Sequence, residues 1–349
     1  MRVIYTPKST HPWSHFSATS TAMTIDFFEE SIGAPTKIDS SNQIWRWKAV
    51  FNAIGIVGFF MFVVSFTKLM LALPAFASLQ ATSEIKPAIV TSKKRKVYFW
   101  LSLALNAAFG LFAFIPVMQL LQATTFTPTI FGQRGLLGVS VWAACCGVFS
   151  LLCMLVFNRL LKNDPDFVLA DSGIKISGKN LLKTIALAII VVFFSFGWVF
   201  LAHYFFHTDF RLWVLAIRVF NPVIIKITLP FILIICIFYL TSSVATNCFN
   251  YRLIAGKEWV NTLVLAVFSC LPIVILVAVQ YGYLFATGYV PFPDDSSGII
   301  LLFPLIALLP ISIVISRKIY KATKNPYLPA IVNTITIALI SSATTNTFL

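Results

Sequence analysis

The stretch Thr184–Phe206 reads TIALAIIVVFFSFGWVFLAHYFF and leads directly into His207-Thr-Asp209-Phe-Arg211. A membrane-spanning helix needs about 20 consecutive apolar residues, so this stretch predicts one span. His203 and His207 are four residues apart and therefore share one face of that helix. Asp209 and Arg211 follow where the helix should leave the bilayer. These four side chains, called the His/Asp/Arg cluster below, predict a polar surface at one side of the membrane.

The His/Asp/Arg cluster has two interpretations. It could hold a metal or a substrate, or it could be a hydrated helix end closed by a salt-bridged turn. A metal site normally needs about three or four ligands. Only His203, His207 and Asp209 are available locally, so we favour the structural turn and predict neither a metal site nor a cofactor.

The composition is that of a polytopic membrane protein. The 349 residues are 58% hydrophobic and only 11% charged, whereas soluble chains are about 25% charged. A net charge of +14 is compatible with nucleic-acid binding, but the Lys and Arg residues lie between apolar runs, as in membrane proteins. We therefore predict a lipid bilayer as the partner and no nucleic acid. The six cysteines lie in or beside apolar runs and are interpreted as packing residues.

The apolar runs predict an all-α bundle of about eight membrane spans. This membrane region, residues 49–349, follows a smaller extramembrane region, residues 1–48. The segment 212–220 is too short to cross a bilayer, and we expect an interfacial or re-entrant helix there. The predicted spans are 49–73, 97–121, 136–157, 184–206, 223–245, 260–285, 298–316 and 328–343.

The charges in the connections predict the orientation. Basic residues accumulate in alternate connections, at 86–96, 159–183, 252–257 and 317–324, whereas the other connections carry few. Cytoplasmic loops are enriched in Lys and Arg. We therefore expect a multi-pass protein of the cell membrane with both termini and the His/Asp/Arg cluster outside the cytoplasm. Within 159–183, the segment 167–177 predicts a small hairpin.

Residues 1–48 predict a strand at Arg2–Thr6, a loop that contains His11 and His15, and a helix at Ser17–Glu30. So few residues cannot bury a hydrophobic core of their own. We therefore expect a remnant of a larger extracytoplasmic domain.

The segment from Thr10 to Phe28, THPWSHFSATSTAMTIDFF, resembles the end of an α/β-hydrolase domain. In that fold the last strand leads to a loop carrying the catalytic histidine, and a closing helix follows. The chain as a whole resembles bacterial proteins that join such a domain to a polytopic membrane region. The resemblance implies that His11, or less well His15, is the general base for a serine nucleophile.

In α/β-hydrolases the nucleophile and the acid precede the histidine in the chain. Here only about ten residues precede His11, and the chain contains no Gly-x-Ser-x-Gly sequence. We therefore expect a fragment, a late-started open reading frame, or a membrane half whose hydrolase domain is a separate polypeptide. In each case this chain would be the membrane half and not catalytic alone. The alternative is a transporter or small-molecule-binding membrane protein that uses the His/Asp/Arg cluster. No Walker or dinucleotide-binding motif is present, and the predicted spans contain no Asp or Glu.

Overall fold

The computed structural model describes residues 3–33, 38–123, 130–161 and 172–345. Within these ranges the chain is an all-α bundle, as predicted, and it also contains one two-stranded hairpin. A short 3-10 helix spans Ala77–Leu79, and a π-helical turn spans Ala245–Phe249. The α-helices are α1 (His11–Ser14), α2 (Ala18–Ile32), α3 (Trp45–Leu71), α4 (Lys93–Ala123), α5 (Arg134–Leu160), α6 (Gly178–Phe206), α7 (Pro222–Val244), α8 (Glu258–Thr287), α9 (Ser296–Ile300), α10 (Leu305–Thr323) and α11 (Tyr327–Thr344).

Among the described residues, seven helices are long and apolar enough to cross a membrane, namely α3 to α8 and α11. The chain is therefore an integral, multi-pass membrane protein. The predicted span 298–316 differs from the structure, which divides it between α9 and α10. Pro304 N-caps α10 and follows this break. Helix α10 carries three charges, Arg317, Lys318 and Lys321, and is therefore not among the seven. Its last turn lies beside the start of α8, where Lys321 donates to Glu258 at 2.8 Å, so α10 returns the chain to that end of the bundle.

Six helices pack in a closed ring in the order α4, α5, α7, α11, α10 and α8. Helices α3 and α6 pack outside this ring, against α10 and α11 respectively. The largest buried apolar cluster joins α3, α6, α7 and α11, and includes Val63, Val191 and Phe231, which are fully buried. The polar cross-links are small. For example, Ser243 and Ser316 lie 3.1 Å apart between α7 and α10, as is common where membrane helices pack closely.

The segment 212–220 forms no helix, so that prediction is wrong. Strands β1 (Phe210–Leu212) and β2 (Leu215–Ile217) pair antiparallel instead. Trp213 adopts a left-handed conformation with φ of 53°, which closes a two-residue turn. The hairpin packs against α3 where Gly55 leaves room, because a β-carbon at Gly55 would lie 2.5 Å from Cδ1 of Phe210.

The described part of the N-terminal region contains the predicted helix but no strand. Helix α2 begins after Ser17, whose side chain accepts a hydrogen bond from the Ser20 amide at 3.3 Å. Residues 3–6, the described part of the predicted strand, form no strand. The described residues beside them offer no strand to pair with, and an unpaired strand leaves its backbone groups unsatisfied. The region is anchored by Trp213, whose indole Nε1 donates to the Pro12 carbonyl at 2.6 Å.

The basic connections meet at one end of the bundle, called the basic end below. Ala88 pairs with Arg252 across two connections, and the Lys94 ammonium donates to the Leu160 carbonyl at 3.2 Å. The hairpin and the N-terminal region lie at the opposite end. Residues 167–171 of the hairpin predicted at 167–177 lie outside the described residues, and residues 172–177 form no strand.

Candidate functional site

The His/Asp/Arg cluster is a surface feature. His203 and His207 are exposed, with ring centroids 6.2 Å apart in an edge-on arrangement. Arg211 donates to the Asp209 carboxylate at 3.0 Å, and their side chains are 49% and 27% exposed. A pair this exposed contributes at most about 1 kcal/mol to stability. The geometry is that of the salt-bridged turn, and none of the four side chains lines the cavity described below.

His11 and His15 are also exposed. His11 is the first residue of α1, and His15 follows its last residue. Among the described residues, neither imidazole has a hydrogen-bonded serine or cysteine. The structure therefore places both histidines on the surface at the opposite end from the basic residues, without a nucleophile beside them in the described ranges.

A cavity of about 500 Å³ lies inside the six-helix ring and reaches the basic end. Every helix of the ring contributes to its lining. Along α4 the lining extends from Arg95 to Gly110, which corresponds to about 22 Å at 1.5 Å per residue. One leaflet of a bilayer is about 15 Å thick, half of its hydrocarbon core. The cavity is therefore deep enough to hold a chain as long as a lipid tail.

The deep part of the cavity has mainly apolar walls. Trp142 is buried, and its indole Nε1 donates to the Gly110 carbonyl at 2.9 Å. Phe238, Leu265 and Phe268 line the space from other helices. Because Trp142 has its hydrogen bond satisfied by α4, its ring can face apolar material without leaving a polar atom unpaired.

The end of the cavity near the basic connections contains Arg252, which is only 6% exposed. Its guanidinium carbon lies 3.5 Å from the centre of the Phe99 ring, a cation–π contact. Its Nη1 donates to the Arg95 carbonyl at 3.3 Å. Burial and then the nearby positive charge of Arg95 lower the pKa of Arg252 to about 10, so it remains protonated at neutral pH.

The loop that carries Arg252 is held in place by backbone bonds. The Ala88 amide donates to the Tyr251 carbonyl at 3.0 Å, and the Leu253 amide donates to the Ala88 carbonyl at 3.0 Å. The two connections therefore form one unit on either side of the arginine. These backbone bonds fix the position of Arg252 relative to the cavity.

The π-helical turn Ala245–Phe249 also lines this part of the cavity. Such turns are rare and often occur at functional sites. Its Asn247 donates to Ser316 at 2.8 Å through Nδ2, while its Oδ1 is buried without a hydrogen-bond partner among the described residues. The Ser140 hydroxyl, deeper in the cavity, is likewise buried and unpartnered there. Both residues line the cavity.

A second buried arginine supports the π-helical turn from behind. Arg317 donates through Nη2 to the Thr246 carbonyl at 2.8 Å and to Asn261 at 3.0 Å. Its guanidinium carbon lies 3.8 Å from the centre of the Tyr251 ring. Arg317 does not line the cavity, so it holds the wall in place while Arg252 faces the space.

The described lining carries a positive charge. It contains the carboxylate of Glu84 and four basic residues. Glu84 lies 3.8 Å from the Lys86 ammonium at an exposed position. A low-dielectric cavity with such a lining attracts anions at its charged end. The four basic residues are Lys86, Arg95, Arg252 and Lys324.

Sequence reasoning missed this site. Arg95 and Arg252 were counted only as cytoplasmic loop charges, because a charge beside an apolar run gives no information about which way the side chain points. One signal was present in the polar residues of TSSVATNCFNYR at 241–252, which interrupt the end of an apolar run. Within the described residues, no group of three or more His, Cys, Asp or Glu side chains is arranged to hold a metal ion.

Comparisons with protein-family models, curated proteins and solved structures find no match to this chain. The fold and the cavity therefore define the class: a multi-pass α-helical membrane protein with an internal cavity at its basic end.

Proposed function

We propose that this chain is a small-molecule-binding membrane protein and that the cavity is its binding site. The observation that carries the proposal is a space of about 500 Å³ with apolar walls and a charged end. Ligand sites are typically about 300–1,000 Å³, lined mainly by apolar groups with a few polar ones. From the sequence, the alternative prediction is a small-molecule-binding membrane protein with the His/Asp/Arg cluster as its site. We keep that class of protein and locate the site in the cavity instead.

The test is a substitution that fills the cavity. Ala143 lines the cavity, and Ala143→Trp should reduce binding of the neutral apolar dye N-phenyl-1-naphthylamine at least tenfold. Binding is measured by dye fluorescence in nanodiscs, with empty nanodiscs as the background. Leu152→Trp is the matched control, since Leu152 is 54% exposed on the outside of α5. Equal dye binding by the Ala143→Trp variant and the wild type would rule out the cavity as the site.

We propose the hydrolase association as a second candidate, supported by the uncovered side of α2. No residue of α2 is buried, and Phe27, Phe28 and Ile32 are 44%, 54% and 80% exposed. If α2 is the closing helix of a hydrolase domain on another polypeptide, its apolar side would be exposed until that domain binds. In this proposal His11 or His15 would complete a serine hydrolase site only with that partner.

Co-expression with a polypeptide containing Gly-x-Ser-x-Gly tests the association. We expect the two chains to copurify and the Phe28→Asp variant to lose the partner. Thr19→Asp, at another exposed position of α2, should retain it. Failure of the wild-type chains to copurify would contradict the association and would leave the cavity proposal unaffected.

We also propose that the basic end faces the cytoplasm in the cell membrane. The gathering of four basic connections at one end supports this orientation. Both termini would then lie outside the cytoplasm, together with the N-terminal region and the hairpin.

A further inference from the structure

We propose that the ligand of the cavity is a single-chain amphiphile with a phosphate head, bound with the phosphate at Arg252 and the chain directed toward Trp142. This inference rests on the proposed function, because it names the ligand class for the same cavity. It is carried by the donors of Arg252, the charge of the lining, and the depth and volume of the apolar part.

The donors of Arg252 are the first step. A guanidinium has about five N–H donors in a planar fork that matches phosphate oxygens. In the structure Arg252 makes one side-chain hydrogen bond, to the Arg95 carbonyl. Two side-chain nitrogens of Arg317, Nε and Nη1, are buried without a hydrogen-bond partner among the described residues. No nitrogen of Arg252 is in that situation. Since Arg252 lines the cavity, its remaining donors are accessible from that space.

The charge of the head end is the second step. None of the described carboxylates lies within salt-bridge distance of Arg252; the described ion pairs are Lys86–Glu84, Arg211–Asp209 and Lys321–Glu258. Among the described residues, the lining has three more basic residues than acidic ones, four against one. A phosphate monoester carries a charge of about −1.5 to −2 at pH 7. It therefore complements this end better than a monovalent carboxylate does.

The shape of the apolar part is the third step. The lining extends for about 22 Å along α4, which exceeds the thickness of one leaflet. One alkyl chain can follow a path of this length, and the volume of about 500 Å³ is within the range of small-molecule sites, about 300–1,000 Å³. Free inorganic phosphate would use Arg252 but leave the apolar part empty, so a single-chain phosphate ester fits both ends.

The unpartnered hydroxyl of Ser140 marks the deep end of this path. It lies on α5 two residues before Trp142, and both residues line the cavity. A chain directed from Arg252 toward Trp142 would therefore reach it. The direction of binding follows from Arg252, because the charged end of the cavity pairs with the phosphate and leaves the apolar part for the chain.

The experiment compares three ligands in nanodiscs of zwitterionic lipid, with empty nanodiscs subtracted. The ligands are dodecyl phosphate, dodecanol and inorganic phosphate, and binding is measured by isothermal titration calorimetry. We expect dodecyl phosphate to bind at least tenfold more tightly than either of the other two. Tight binding of inorganic phosphate alone would show an anion site without a chain, and would overturn the inference.

Variants assign the two ends. Arg252→Gln should weaken dodecyl phosphate binding at least tenfold and leave dodecanol binding unchanged, while Arg252→Lys should lose less. Arg218→Gln, at an exposed position near the opposite end, is the charge-matched control and should bind as the wild type does. A circular-dichroism melt of each variant shows that it is folded.

The outcomes separate the inference from the proposed function. If dodecanol binds as tightly as dodecyl phosphate, and Arg252→Gln changes neither, the phosphate head is refuted while the cavity remains the binding site. If no amphiphile binds, or if Ala143→Trp has no effect on amphiphile binding, both proposals fail.

Discussion

Helix α5 approaches the backbone of α7 at Gly147, and this contact gives a quantitative prediction. A β-carbon added at Gly147 would lie 2.9 Å from Cα of Phe238 and 3.2 Å from the carbonyl oxygen of Ile237. It would also lie 2.6 Å from Oγ1 of Thr241. Two of these three contacts are with backbone atoms, which cannot move by a change of rotamer. Gly147→Ala should therefore push apart two helices that form one wall of the cavity.

The magnitude follows from two opposing contributions. Replacing glycine by alanine in a helix favours the helix by about 1 kcal/mol. Overpacking a closely packed interior costs about 1–3 kcal/mol. We therefore expect Gly147→Ala to lower the free energy of unfolding by about 0–2 kcal/mol, the balance of the two contributions.

Gly58 provides the matched control. It lies within α3, and a β-carbon added there meets no atom within 4 Å. Gly58→Ala should therefore gain the helix contribution without the steric cost. Since that contribution is common to both variants, their difference isolates the steric cost, which should be about 1–3 kcal/mol.

Reversible unfolding in mixed micelles, titrated with sodium dodecyl sulfate and followed by circular dichroism, measures both variants. Gly147→Ala should unfold at a lower detergent fraction than the wild type or the same one, and Gly58→Ala at a higher one. Equal stability of the two alanine variants would refute the close approach of α5 and α7.

Three further predictions concern orientation, catalysis and pH. In a background without the native cysteines, Tyr289→Cys should be labelled by an impermeant maleimide added outside cells and Lys86→Cys should not; the reverse pattern would overturn the orientation. The purified chain should hydrolyse p-nitrophenyl butyrate no faster than its His11→Ala variant, and clear His11-dependent hydrolysis would reveal a nucleophile in this chain. Because the pKa of Arg252 is lowered to about 10, the affinity for dodecyl phosphate should be constant from pH 7 to 9 and fall as the pH rises through about 10, when the guanidinium loses its proton. It should also fall below about pH 6, where a phosphate monoester loses its second charge, and an affinity that is flat across pH 5–11 would contradict the charge pairing.

The membrane helices could be predicted from the sequence because each depends on a local property. A run of apolar residues as long as the bilayer is thick forms a helix in lipid, since no other structure satisfies its backbone. The predicted span 328–343 thus corresponds to α11, Tyr327–Thr344. The gathering of basic connections at one end also follows, because consecutive spans alternate in direction.

The errors occurred where the structure depends on tertiary contacts. The hairpin of β1 and β2 turns at Trp213, which adopts a left-handed conformation without being glycine or asparagine. That turn lacks the usual sequence signal. It is stabilised by distant partners, since Trp213 packs on Trp13 with ring centroids 5.3 Å apart. Such contacts cannot be deduced from the local pattern.

The cavity could not be predicted for a related reason. Arg95 and Arg252 are far apart in the sequence and come together only because α4 and α8 are neighbours in the ring. The His/Asp/Arg cluster, by contrast, was conspicuous because its residues are adjacent in the chain. Because these residues are adjacent, the sequence pointed to an exposed turn as the candidate site. The cavity is recognised only in the structure, where Arg252 is buried.

The two buried arginines give opposite predictions when each is replaced by methionine, and this difference separates a binding residue from a structural one. Arg317 satisfies the Thr246 carbonyl and Asn261, so Arg317→Met leaves buried acceptors unpaired and should lower stability by about 1–3 kcal/mol. Arg252 makes one side-chain hydrogen bond, to the Arg95 carbonyl. An apolar residue of similar length is often neutral or stabilising at such a position. Arg252→Met should therefore melt at the wild-type temperature or above it while losing dodecyl phosphate binding. If Arg252→Met instead destabilises the protein as much as Arg317→Met does, Arg252 serves the fold rather than a ligand.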